Sequence, residues 1–147
     1  MPRRGRREAA DGPGWARVTL SERTRAITGV DHVQVAAPPA CEEEARRFYG
    51  ALLGLEEIAK PPLLAERGGC WFRVGAHELH VGVADPFVPA RKAHPALRVA
   101  SPEELRKLAR RLEAAGVGIT WADRAEIPGV ERFHVSDPWG NRLELVA

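Results

Sequence analysis

The sequence predicts an α+β fold made of two tandem βαβββ modules. Three observations carry this. His32 opens the segment DHVQVAAP and His94 opens AHPALRVAS, and each histidine is followed 22 residues later by a glycine that ends a helical pattern, Gly54 and Gly116. Trp71-Phe72-Arg73-Val74 is echoed by Arg132-Phe133-His134-Val135, and Glu78-Leu79-His80-Val81 by Leu143-Glu144-Leu145-Val146. The repeat of roughly 60 residues is too long for a solenoid unit and suits a supersecondary module used twice.

In the first module, residues 30–37 alternate, with Val33 and Val35 on one face and His32, Gln34 and Ala36 on the other. Pro38-Pro39 ends that strand. A helix is expected from about Cys41 to Leu53, with Glu42, Glu43 and Glu44 favourable to the dipole of its first turn and Ala45, Phe48 and Leu52 as its buried stripe. Gly54 terminates it. Residues 55–59 read as a strand and 60–69 as a loop. Residues 70–74 and 78–83 read as a hairpin turning at Gly75-Ala76.

The second module follows the same plan. A strand over 96–100 leads to Ser101-Pro102-Glu103-Glu104, which supplies an N-cap, a proline at the first helical position and a glutamate at N3. Leu105, Leu108, Leu112 and Ala115 form the apolar stripe, and Gly116 stops the helix. Residues 117–121 form a strand. Strands at 132–135 and 142–146 then flank the turn sequence Asp137-Pro138-Trp139-Gly140-Asn141. The domain is thus expected over 28–147, with modules at about 28–84 and 94–147 and a linker at 85–93.

Composition sets the class. Of 147 residues, 44% are hydrophobic and 29% charged, as in ordinary globular proteins. No apolar run approaches a membrane span, and the N-terminus lacks the apolar core of a signal peptide. Cys41 and Cys70 stand apart without CxxC spacing and read as reduced thiols, so a cytoplasmic location is expected. The net charge of +2 conceals an asymmetry: residues 1–25 hold seven arginines against three acidic residues. Residues 1–27 therefore read as a basic, disordered tail. Val18, Thr19 and Leu20 are compatible with a short added strand. Without interleaved aromatics the tail reads as a solvated extension, and neither nucleic acid nor a membrane is expected as a partner.

Strand parity selects the chemistry-bearing residues. Leu143 and Leu145 pack on the helix side, so Glu144 faces the other way. Leu79, Val81 and Val83 do the same in the first module, so Glu78 and His80 share the opposite face. His32 and His94 lie opposite the valines and leucine of their own strands. The inner strands thus present His32, His94, Glu144 and one of Glu78 and His80 from the face away from the helices. Imidazoles with a carboxylate suit Mn, Fe, Co, Ni or Zn. Gln34, Trp71, Arg73, Ala96, Arg98 and His134 share that face as a substrate pocket. Arg73 and Arg98 suit an anionic group, and His134 a moving proton. Tyr49 and Trp139 read as packing and turn residues.

These residues resemble the vicinal oxygen chelate superfamily, which includes glyoxalase I, fosfomycin-resistance thiol transferases, methylmalonyl-CoA epimerase, extradiol dioxygenases and bleomycin-sequestering proteins. The pieces that carry the resemblance are DHVQVAAP, ARRFYGALLGLEE, WFRVGAHELHVGV, AHPALRVAS and FHVSDPWGNRLELV. The resemblance implies paired modules forming a cupped mixed sheet around a divalent metal. It matches His32, His94 and Glu144 to the family's ligands and puts a fourth at Glu78 or His80, with His80 preferred. Where glyoxalase I has a glutamate, that choice sets a histidine.

The activity implied is that of a metal-dependent enzyme, either a lyase or isomerase or a thiol transferase. Its small substrate would chelate the metal through adjacent oxygens, with Glu144 or the Glu78/His80 position moving a proton. Two other activities occur in the family: metal-free sequestration of a drug, and ring cleavage by an iron(II) dioxygenase. The resemblance also implies a homodimer with sites shared between subunits.

Overall fold

The computed structural model describes residues 26–147. The tail over residues 1–25, and with it the strand expected at Val18–Leu20, lies outside the described residues. The first module runs β1 (His32–Ala37), α1 (Glu42–Ala45) continuing as a π-helical segment (Arg46–Leu52), β2 (Glu56–Ile58), α2 (Pro62–Ala65), β3 (Cys70–Val74) and β4 (His77–Val83). The second runs β5 (Ala96–Arg98), α3 (Pro102–Ala114), β6 (Ile119–Trp121), β7 (Arg132–Ser136) and β8 (Arg142–Val146). The two βαβββ modules are as expected. They form two four-stranded mixed sheets, ordered β1-β4-β3-β2 and β5-β8-β7-β6. In each, the first strand lies parallel to the last and the other neighbours are antiparallel.

Three local expectations need correction. The helix expected over 41–53 is only one turn of α-helix before it widens, with the Leu53 amide donating to the Phe48 carbonyl five residues back. The wider winding brings Tyr49 (0% exposed) and Leu53 inward beside Phe48, and leaves Leu52 only partly buried. The segment 60–69 is not wholly irregular. Pro62 at the first helical position, with its φ already set, starts a short helix. Ala115 is exposed at the end of α3, where Leu105, Leu108, Ala109 and Leu112 make the buried stripe.

The apolar residues of both modules make one core that includes Val35, Phe48, Phe72, Leu79, Phe133 and Leu145. Each sheet turns one face to its helix and leaves the other for the polar residues. Among the described residues two hydrogen bonds also tie the modules together: the Tyr49 hydroxyl donates to Asp137 Oδ2 at 2.9 Å, and Asn141 Nδ2 donates to the Ala36 carbonyl at 2.7 Å. Among the described residues no helix is long and apolar enough to cross a membrane.

Ser101 accepts a hydrogen bond from the Glu104 amide at 3.2 Å, which is the N-cap expected of α3. Ser101→Ala should therefore cost about 1 kcal/mol of stability. A thermal melt would read this as a fall of a few degrees, and Ser101→Asp should restore it.

Candidate metal centre

The second module gathers His94, His134 and Glu144, whose ligand atoms all lie within 4.8 Å of one another. β7 and β8 set two of these directly opposite each other in antiparallel register, and β5 sets Ala96 beside Glu144, so His94 arrives just before the strand begins. His134 Nε2 and His94 Nε2 lie 2.9 and 3.2 Å from Glu144 Oε2, and Arg132 donates to the same oxygen at 3.3 Å. His94 Nδ1 lies 2.8 Å from the Lys92 carbonyl oxygen. A carbonyl only accepts, so Nδ1 carries a proton and Nε2 is the nitrogen turned toward Glu144. With Nδ1 so engaged, Nε2 is the ring atom that would face a cation beside Glu144. Metal donors about 2.1 Å from an ion lie up to about 4 Å apart, so small side-chain rotations bring this set to ligand spacing. The donor set therefore fits a divalent ion.

Burial raises the affinity of Glu144 for a proton. Hydrogen bonds from His94 and His134 and the Arg132 charge outweigh that and hold its pKa below the usual glutamate value. His134 moves down from the ordinary histidine value, chiefly through burial, with Arg142 and His94 adding to the effect against the Glu144 hydrogen bond. A neutral His134 is a ready proton acceptor at neutral pH.

The first module builds a different cluster. Trp71 stacks on His80 with ring centroids 3.9 Å apart, and His32 stacks on His80 at 4.3 Å, a column of three rings. His32 Nδ1 lies 2.8 Å from Asp31, and His80 Nε2 lies 2.9 Å from Glu78. Gly82 leaves room for Gln34 to lie across β4, since a Cβ there would come within 2.7 Å of its amide. His32, Gln34, Trp71 and His80 line a cavity of about 440 Å³ with Lys60 and Arg67.

Register separates Glu78 from His80. Gln34 pairs with His80 and Ala96 pairs with Glu144, so His80 occupies in the first module the place that Glu144 occupies in the second. Glu78 pairs with His32, the place that falls to Arg142 when the β5–β8 register is continued to His94. Glu78 instead bonds His80 and Arg73.

Within one chain the predicted set divides in two. His32, His80, Glu78, Gln34, Trp71 and Arg73 stand on one sheet; His94, Glu144, His134 and Arg98 stand on the other. No hydrogen bond, ion pair or ring contact joins the two groups among the described residues. Arg73 leans on Glu78, and Arg98 stands on β5 of the other sheet. Sequence reading placed His134 in the pocket but not in the ligand cluster, and missed Arg132 and Asp31. Parity offered a signal for Arg132, which shares a face with His134; Asp31 precedes β1, where parity says nothing.

Known proteins agree with this architecture. The sequence profile of the Glyoxalase/Bleomycin resistance protein/Dioxygenase superfamily matches residues 29–145. A crystal structure of a protein from Bacillus anthracis described as of the glyoxalase family is 49% identical, with a TM-score of 0.78 over 84% of this chain and 98% of the other. The fosfomycin resistance protein of Listeria monocytogenes superposes with a TM-score of 0.64 at 20% identity, over 82% and 93% of the two chains. Lactoylglutathione lyase from Agrobacterium tumefaciens gives 0.63 at 19% identity, over 83% and 95%. These last two share the fold. No curated protein matches the sequence at a significant level.

Proposed function

Since the chain belongs to the glyoxalase/bleomycin resistance protein/dioxygenase superfamily, we propose that it is a metal-dependent enzyme acting on a small substrate with adjacent chelating oxygens, of the lyase, isomerase or thiol-transfer type. The observation that carries this is the convergence of His94 and His134 on one Glu144 oxygen, with the far nitrogen of His94 already engaged by a backbone carbonyl. A divalent ion held there, of the Mn, Fe, Co, Ni or Zn kind, would supply Lewis-acid stabilisation of negative charge developing on substrate oxygens. With His94 and Glu144 as this chain's ligands, His134 is the proton acceptor, a partly buried imidazole beside them whose pKa is held down. Arg132 holds Glu144 in place, and Glu78 orients His80.

A single chain divides its ligands between two sheets, which supports a homodimer as the working unit. In that dimer His32 and His80 of one copy complete the set begun by His94 and Glu144 of the other. A nitrogen-rich set of this kind favours Ni, Co, Zn or Fe over Mn.

The test is elemental analysis of protein purified without chelators, beside its mass by light scattering. One divalent ion per chain, a dimer, and a loss of metal affinity of about tenfold or more in His94→Ala are expected. A chain that takes up none of these ions, or a monomer that holds one at full affinity, overturns the reading. Tight binding of bleomycin by such a metal-free chain would point to sequestration, and oxygen uptake with catechol after iron loading to ring cleavage.

A further inference from the structure

Around His134, beside the ligand cluster, stand arginine and hydroxyl side chains that the chemistry above leaves unused. Arg142 on β8 pairs with Ser136 on β7, and His134 on β7 pairs with Thr120 on β6, so all four share one face. They line a cavity of about 380 Å³, and Arg91 of the linker lines it with them. The linker is held there: the Arg142 amide donates to the Ala90 carbonyl at 2.9 Å, and the Ala90 amide donates to Asn141 Oδ1 at 2.9 Å, where Asn141 is buried. Among the described residues no carboxylate lines the cavity. Arg73 and Arg132 each have a carboxylate partner, whereas Arg91 and Arg142 have none among the described residues. Two guanidiniums lining one cavity with hydroxyls and no acid favour an anion between them.

We infer that this cavity is an oxyanion subsite, in which Arg91 and Arg142 hold a carboxylate, phosphate or phosphonate of the substrate and Ser136 and Thr120 supply hydroxyl donors. This rests on the reading of the His94–Glu144 cluster as the reaction centre. Arg142 precedes Glu144 by two residues on β8, so the subsite lies ~7 Å along the strand from the Glu144 carboxyl group. That separation fits a small molecule whose anionic group is a few bonds from its chelating oxygens. The first-module counterpart of Arg142 is Glu78, so the two modules differ in the charge they place here.

The test uses the full chain, stripped of metal, titrated by ³¹P NMR with inorganic phosphate and with methylphosphonate, and with acetate as competitor. Saturable binding is expected, weakened about tenfold or more by Arg142→Gln and by Arg91→Gln, and less by Arg142→Lys, which keeps the charge and loses the fork. Arg91 is exposed in a linker, so Arg91→Gln carries the test if the other variant fails to fold. Competition by acetate equal to that of methylphosphonate marks a carboxylate subsite, and preference for methylphosphonate a phosphorus oxyanion. Binding equal to wild type in both glutamine variants, or none in wild type, overturns the subsite. A parallel metal titration separates the readings. Metal binding without oxyanion binding removes the subsite alone. Oxyanion binding without metal binding removes the metal centre and leaves the subsite as a ligand pocket.

Discussion

Glu144→Gln should weaken divalent-ion binding by about a hundredfold or more and lower turnover by about a thousandfold. One oxygen of this side chain receives His94, His134 and Arg132, so the substitution removes the charge on which all three converge while keeping the shape. Loss of an outer-sphere partner of a metal ligand already costs about tenfold to a hundredfold in affinity, and loss of the ligand itself exceeds that. A metal ion contributes several kcal/mol of charge stabilisation in a transition state, and about 4 kcal/mol corresponds to about a thousandfold in rate. Glu78→Gln is the informative comparison. Register makes Glu78 an orienting partner of His80, so its loss should weaken the metal by about tenfold to a hundredfold, visibly less than Glu144→Gln. Competition with a chromophoric chelator measures both, and unchanged circular dichroism shows that each variant is folded. Equal losses in the two, or no loss in Glu144→Gln, would remove Glu144 from its assigned place.

The repeat made the modules legible, and parity made the faces legible. His32, Gln34 and His80 do share one face, and Glu144 and His134 another, because a strand alternates its side chains whatever its partners are. What parity could not supply is register. Glu78 and His80 point the same way, and only the pairing of Gln34 with His80 against that of Ala96 with Glu144 tells them apart. Nor does parity say which residues meet across sheets: the set His32, His80, His94 and Glu144 follows from parity strand by strand, yet one chain sets it out in two places. The widening of the first helix was hidden because Phe48, Tyr49, Leu52 and Leu53 fit an α-helical stripe nearly as well as the wider one. From Arg91 and Lys92 the linker reads either as solvated or as lying at the pocket mouth. Its anchoring depends on a buried Asn141 whose turn sequence announces a turn and nothing of its long-range bonds.

Asp137→Ala should destabilise the fold by about 3–5 kcal/mol, the largest stability effect of any single side chain outside the apolar core. Asp137 is 4% exposed and accepts from the Tyr49 hydroxyl at 2.9 Å, the Trp139 amide at 3.0 Å, and the Asn141 amide and side chain at 2.8 and 2.7 Å. Truncation leaves the Tyr49 hydroxyl, itself fully buried, with no acceptor, and each buried unsatisfied donor costs about 1–3 kcal/mol. Burial and the neighbouring Asp137 keep that hydroxyl far from ionising, so it stays a donor at every ordinary pH and has no route to relief. Tyr49→Phe removes one donor of four and leaves Asp137 with three, so about 1 kcal/mol is expected there. A thermal melt should show Asp137→Ala more than about 10 °C below wild type and Tyr49→Phe within a few degrees. The consequence reaches the site. Asn141 loses the partner that fixes its amide, and through Asn141 the hold on Ala90 loosens. The linker that carries Arg91 and leads into His94 then loses its anchor beside β8. Metal affinity in the folded fraction of Asp137→Ala should therefore fall as well, although Asp137 is no part of the ligand cluster. Tyr49→Phe, which leaves the Asn141 bonds intact, should bind metal like wild type.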